Sequence, residues 1–255
     1  MGTIATLKCP YIDAGVFAYP LSHTSASRMI MTARKFGFNG VIMREPWSKD
    51  VDHSSLGSLP ISVQQDKAFL LIHGRVYSAL TQKELRRAMQ APGLDASLQI
   101  PMLHIVDAGD ATYNRWVLTT PGVSILSRIH AAPRHSFDHV CAKSATDHGI
   151  CVDINLASLI PNGTLRQKAL RQFENVIILA RKYEFGLTIS SGAKGYLGIC
   201  TPREIIAMCS LFGMDEDMVT RALSMPIHLL CPRQSVRKVV YKHEVHENKV
   251  HGERE

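Results

Sequence analysis

Three observations predict the fold class of this 255-residue chain as α/β, a TIM-like (β/α) barrel in a single domain. Short apolar runs bounded by turn residues alternate with helical segments about seven times. No shift of composition marks a linker, and no internal repeat aligns. Such alternation builds a parallel sheet with right-handed crossovers, and this many units favour closure over an open sheet. The barrel is expected to occupy residues 1–233. Residues 234–255 turn basic and then rich in His and Glu, and are expected to form a disordered tail.

The elements follow in chain order. Tyr11 to Gly15 reads as the first strand, and Ser22 to Thr24 offers caps for a helix that runs through Phe36 and stops near Gly37. Gly40 to Met43 (GVIM) is the second strand. Trp47 to Pro60 is polar and turn-rich, a surface excursion. Phe69 to His73 (FLLIH) is the third strand, with an extension through Val76 and Tyr77. Thr81 and Glu84 form a capping box for a helix up to Ala91. Leu103 to Val106 is the fourth strand, Asp107 or Asp110 opens a helix containing Trp116, and Gly122 to Leu126 is the fifth strand. A loop with Arg128, His130, Pro133 and Arg134 leads to a helix over Ser136 to His148 and a sixth strand over Gly149 to Ile154.

Asn162 to Glu184 is the longest helix, with Leu165, Ala169, Phe173, Val176, Ile177 and Ala180 at core spacing. The seventh strand, Leu187 to Ile189, ends in the small-residue turn Ser190-Ser191-Gly192-Ala193. The next helix is well specified: Thr201 is its N-cap, Pro202 its first residue, and Glu204 completes a capping box. Gly213 ends it, and Asp215, Glu216 and Asp217 open the last helix with the charge its dipole favours.

Composition narrows the function. The net charge is +7, and the last fifteen residues carry −1, so the first 240 carry +8. A basic globular body suits a polyanionic partner, nucleic acid above all. The six cysteines form no CxxC pair and several lie in apolar runs, as reduced buried thiols of a cytoplasmic protein do. No apolar run is long enough to cross a membrane, and the first residues lack the basic and apolar regions of a signal peptide. The histidines of the tail, His243, His246 and His251, read as adventitious metal binders.

Function in such barrels sits at the C-terminal ends of the strands. Groups there are Asp13, His73, Asp107, His130, Asp153 and Asn155, too scattered to name an acid/base pair. Metal-dependent phosphoesterase barrels of the PHP type usually begin with an H-x-H pair on the first strand, whereas this chain has Asp13-Ala14-Gly15. No HExxH, GxSxG or Walker A pattern occurs. The best candidates for nucleic-acid contact are Arg128, Arg134, His139, Lys143, Lys182, Lys194 and Arg203. His139 and Lys143 are four apart and share a helix face. Arg203, a cation in the first helical turn, makes most sense with an anion beside it. Ser190, Ser191 and Gly192 form either a tight structural turn or a candidate phosphate loop.

Two blocks carry a resemblance. Phe137-Asp138-His139-Val140-Cys141-Ala142-Lys143 leads into Gly149 to Ile154, and Leu187 to Ala193 leads into Thr201-Pro202-Arg203-Glu204 and Leu211-Phe212-Gly213-Met214. In this order and spacing the chain resembles protein component 3 of ribonuclease P, most clearly from Val123 to Pro232 and more weakly from Tyr11 onward. The resemblance implies a PHP-like TIM barrel and a subunit of an endoribonuclease complex that removes the 5′ leader of precursor tRNA. It implies catalysis by the RNA subunit with its Mg²⁺, no cofactor bound by the protein and no protein active site. The implied partners are ribonuclease P RNA, a small partner protein and other subunits, with precursor tRNA as the substrate of the complex. On matching positions it implies RNA contact by His139, Lys143 and Arg203, by Arg134 just upstream, and less directly by Lys182. The alternative left open by the residues is a metal-dependent phosphoesterase-like barrel acting alone.

Overall fold

The computed structural model describes residues 10–18, 23–48, 59, 68–90 and 100–230. The tail expected over residues 234–255 and most of the excursion from Trp47 to Pro60 lie outside the described residues. Strands β1 (Ile12–Val16), β2 (Gly40–Pro46), β3 (Leu70–Tyr77), β4 (Met102–Asp107), β5 (Val123–Ser127), β6 (Cys151–Asn155) and β7 (Leu187–Ser190) pair in chain order, every pair parallel. The described helices are α1 (Ala26–Lys35), α2 (Gln82–Gln90), α3 (Ala111–Val117), α4 (His139–His148), α5 (Thr164–Tyr183), α6 (Pro202–Ser210) and α7 (Glu216–Leu229). This is the TIM-like (β/α) barrel expected from the alternation.

The ring closes between β7 and β1. Gly192 N–H donates to Gly15 O (2.9 Å), Phe17 N–H to Ala193 O (2.9 Å), and Val16 bridges Ala193 in parallel. Asp13 staples the same seam: its Oδ1 accepts the N–H groups of Gly15 and Ser191, both at 3.0 Å. Gly192 takes φ +65°, and a Cβ there would collide with the Asn155 amide, so glycine is required.

Strand alternation sorts the core into two layers. Inside the ring, Ile12, Ala14, Ile42, Ile72, Leu103, Ile105, Ile125 and Cys151 cluster with Met225 of α7, beside Gly186 at the entry to β7. The C-terminal part of α7 therefore closes the bottom of the barrel. The opposite strand faces and the helices form the larger outer core, which includes Val41, Met43, Leu126, Val152, Ile154, Phe173 and Leu223.

Helix starts follow local capping chemistry. Thr201 and Glu204 form the expected box: Thr201 Oγ1 accepts Glu204 N–H (3.3 Å) and Glu204 Oε2 accepts Thr201 N–H (2.7 Å). Thr81 and Glu84 repeat it for α2 at 3.4 and 3.0 Å. Of the two aspartates offered for α3, Asp110 is the N-cap. Three starts shift from the sequence reading. Ser25 caps α1 instead of Ser22 to Thr24, Asp138 caps α4, which begins at His139 and not at Ser136, and Gly163 precedes α5, which begins at Thr164 and not at Asn162. Leu165 is 64% exposed in the first turn of α5, whereas Ala169, Phe173, Val176, Ile177 and Ala180 are buried as expected. Cys141, Cys151 and Cys209 are buried free thiols, and Cys200 is a half-buried one.

Candidate nucleic-acid interface and the barrel mouth

The inward register that is apolar at the bottom of the barrel turns polar at the top. Two residues beyond Ile42 stands Arg44; beyond Ile105, Asp107; beyond Ile125, Ser127; beyond Cys151, Asp153 and then Asn155. Arg44 is tied to three other strands. Its Nε donates to Ala14 O (2.8 Å), its Nη1 to Ser127 Oγ (2.7 Å), and its Nη2 pairs with Asp153 Oδ2 at 2.9 Å. Ser127 Oγ and Ser190 Oγ also donate to Asp153 Oδ2 (3.0 and 2.9 Å), and Thr188 Oγ1 to Oδ1 (3.2 Å). Arg44 and Asp153 are 2% and 0% exposed, so a full ion pair sits in the barrel interior. Asp107 accepts from Ser78 Oγ (2.6 Å) and faces the half-exposed Arg128 at 3.6 Å.

The strand-end groups singled out in the sequence thus divide between two faces. Asp107, Asp153 and Asn155 face the mouth. Asp13 and His73 occupy outward register positions, His73 within 3.1 Å of Glu45. Burial raises the Asp13 carboxyl to about 6, against the backbone donors of Ser191 and Gly15 and the charge of Arg44. Burial and the nearby Arg128 lower His130 to about 4, and its ring meets Phe173 edge-on. Among the described residues no group of three or more His, Cys, Asp and Glu side chains could hold a metal ion.

The candidate phosphate loop is corrected by the structure. Ser190, Ser191 and Gly192 are buried, and their donors serve the barrel itself: Ser190 Oγ goes to Asp153, Ser191 N–H to Asp13 and Gly192 N–H to Gly15 O. The small residues are there because β7 meets β1 at this point.

The basic candidates lie outside. Arg134, His139, Lys143, Lys194 and Arg203 are all exposed, and none forms an ion pair among the described residues. Arg134 lies in the loop after β5, His139 opens α4, Lys194 follows β7 and Arg203 stands in the first turn of α6, so these four share the C-terminal rim. Lys143 lies one turn further along α4. Lys182 is set apart from them: it sits in the last turn of the 20-residue α5, about 25 Å along the axis from that helix's start.

The loop from Arg128 to Phe137 is held from behind, which the sequence did not disclose. Lys168 Nζ donates to Ala131 O (2.9 Å), Gln172 Nε2 to Pro133 O (3.2 Å) and Ala132 O (3.4 Å), and Asn175 Nδ2 to Phe137 O (3.3 Å). These three residues stand at helical spacing on α5. From the other side, buried Asn114 of α3 donates to Ser136 O (2.9 Å). Arg128 and His135 adopt left-handed φ values of 55° and 61°, conformations that these anchors hold in place. Asp138 then caps α4 with Oδ1 and pairs with Arg115 through Oδ2 at 2.6 Å. Partial burial works against its ionisation, but the Cys141 N–H and Arg115 bring its carboxyl down to about 2. The DHVxAK block therefore combines a structural aspartate with two outward bases.

Comparison with known proteins decides the family. The family model described as RNase P subunit p30 matches residues 7–239. The chain belongs to the RNase P subunit p30 family. Among curated relatives of this p30-family chain, ribonuclease P protein component 3 of Methanococcoides burtonii is 35% identical over 120 residues, 47% of this chain and 50% of the relative. The chain thus spans about half the length of that relative. The same component of Methanothermobacter thermautotrophicus is 27% identical over 79% of this chain and 81% of its own. Among solved structures, a chain of archaeal ribonuclease P with mature tRNA, seen by cryo-EM, matches with TM-score 0.66 and 17% identity, covering 96% of this chain and 98% of that chain. A histidinol phosphate phosphatase from Lactococcus lactis, crystallised with zinc, L-histidinol and phosphate, matches with TM-score 0.57 and 9% identity, covering 80% and 94%. At such identities both neighbours speak for the barrel fold alone.

Proposed function

We propose that this p30-family chain is a protein subunit of ribonuclease P that supports RNA-catalysed removal of the 5′ leader from precursor tRNA. Family membership carries the reading. The rim gives it a physical form: exposed basic side chains that form no ion pair among the described residues, with Arg134 on a loop fixed in advance. Arginine forks on a rigid loop meet phosphate oxygens with little ordering cost, and Arg203, in the first turn of α6, adds a further guanidinium to the rim. Recognition of this kind reads backbone and shape more than base identity. The partners are ribonuclease P RNA, a small protein subunit and other members of the complex, with precursor tRNA as substrate. In this reading the chain is part of an endoribonuclease. The chemistry and its Mg²⁺ belong to the RNA, and the protein binds no cofactor. It works in the cytoplasm, and no described helix is long and apolar enough to cross a membrane.

Titration of ribonuclease P RNA with the chain at several salt concentrations tests the reading. Log affinity should fall linearly with log salt, and each of Arg134→Ala and Arg203→Ala should reduce the slope by roughly one phosphate contact. Binding that ignores salt, or that both variants leave unchanged, would refute the rim as an RNA surface.

A further inference from the structure

The mouth of a (β/α) barrel is where such folds ordinarily place their chemistry, and the zinc-bound phosphatase is a structural neighbour. The residues of this chain do not fit a metal there. The polar inward strand positions at the top are Arg44, Asp107, Ser127, Asp153, Asn155, Thr188 and Ser190, with no histidine among them. A guanidinium already stands among the carboxylates. We infer that Arg44 is the resident cation of the barrel mouth, a fixed guanidinium that satisfies Asp153 as a metal ion could and leaves no vacant coordination position.

Four features support this. Asp153 is fully buried, and a buried carboxylate needs a positive partner or a proton. Arg44 provides that charge permanently, because a guanidinium does not deprotonate in proteins. Both Asp153 oxygens are occupied: Oδ2 by Arg44, Ser127 and Ser190, and Oδ1 by Thr188. The backbone is shaped for the guanidinium, since a Cβ at Gly15 would overlap Nε and Cζ of Arg44. A catalytic metal centre keeps an open position for water or substrate, and this joint has none. The joint thus ties β1, β2, β5, β6 and β7 together. The inference deepens the proposed reading, in which the chain has no active site of its own.

Thermal unfolding of the full chain tests it without any RNA, so its failure is distinct from failure of the RNA reading. The wild-type chain should hold no stoichiometric metal after dialysis, and EDTA, Mn²⁺ or Zn²⁺ should leave its unfolding temperature unchanged. Arg44→Ala should unfold earlier and be partly restored by methylguanidinium or Mn²⁺, whereas Arg44→Ala combined with Asp153→Asn should ignore both. An Arg44→Ala chain indifferent to both cations would overturn the inference, because a merely structural side chain gives that result. Should the Arg44→Ala chain fail to fold, the wild-type chain still decides: one equivalent of bound metal that raises its unfolding temperature would overturn the inference, and its absence would uphold it.

Discussion

Gln172, on the buried face of α5, donates its side-chain amide to the carbonyl of Pro133, the residue before Arg134. Helix α5 thereby sets where the loop's arginine points. Gln172→Leu keeps the size and helix preference of the side chain but strands two carbonyls. It should cost about 1–2 kcal/mol in urea unfolding and speed amide exchange over Ala131 to Ser136. RNA affinity should fall with it, although Gln172 itself is not exposed.

The rim and the far end of α5 should behave differently. In reconstituted cleavage, Arg134→Ala and Arg203→Ala should each weaken the contribution of the chain several-fold, about 1 kcal/mol apiece. Lys182→Ala should weaken it less than either, since Lys182 lies in the last turn of α5, with its ammonium 5.4 Å from the Tyr183 ring.

Gly15→Ala places a methyl group on the Arg44 guanidinium. That side chain is anchored on three strands and cannot swing away, so the variant should lose roughly 3 kcal/mol of stability in denaturant titration. Thr201→Ala, which removes only one half of an exposed capping box, should lose about 1 kcal/mol.

Asp13 makes a pH-dependent contribution of defined sign. Its folded carboxyl titrates at about 6 against an ordinary 3.8, because burial disfavours the charge. The folded state holds that proton more tightly, so stability from this group is full below the ordinary value and is lost as pH rises through about 6. Asp13→Asn, which keeps an acceptor for Ser191 and Gly15, should not show that loss. The gap between the two stability profiles should grow by about 2 kcal/mol from pH 4 to pH 6. The half-buried His130 and His104, both lowered to about 4 chiefly by burial, act in the opposite sense and remove stability as pH falls below about 6.5. They are common to both chains and cancel in the difference.

Much of the fold was legible because its signals are local. Apolar runs, capping boxes at Thr81 and Thr201, and the core face of α5 each depend on neighbours within one or two turns. The helix read from Ser136 begins at His139 because the Asp138 side chain takes up its first N–H groups, and Leu165 was misplaced because a first turn can leave the core. The site was less legible. Arg44 and Asp153 are 109 residues apart, and only ring closure brings them to 2.9 Å. A single arginine at the end of an apolar strand looks like a surface charge. Gln172 and Asn114 likewise read as ordinary polar residues until the loop they hold is seen. Ser190 and Ser191 mislead in the other direction: a strand, a small-residue turn and a helix start compose an anion site in many α/β proteins, but here β7 needs them to meet β1.

The central claim is tested most directly by precursor-tRNA cleavage with ribonuclease P RNA and its other protein subunits, with and without this chain, and with the chain alone as a nuclease control. The account predicts faster cleavage, or cleavage at lower Mg²⁺, only when the chain joins the RNA, and none from the chain alone. An RNA enzyme indifferent to the chain, or turnover by the chain alone, would contradict it.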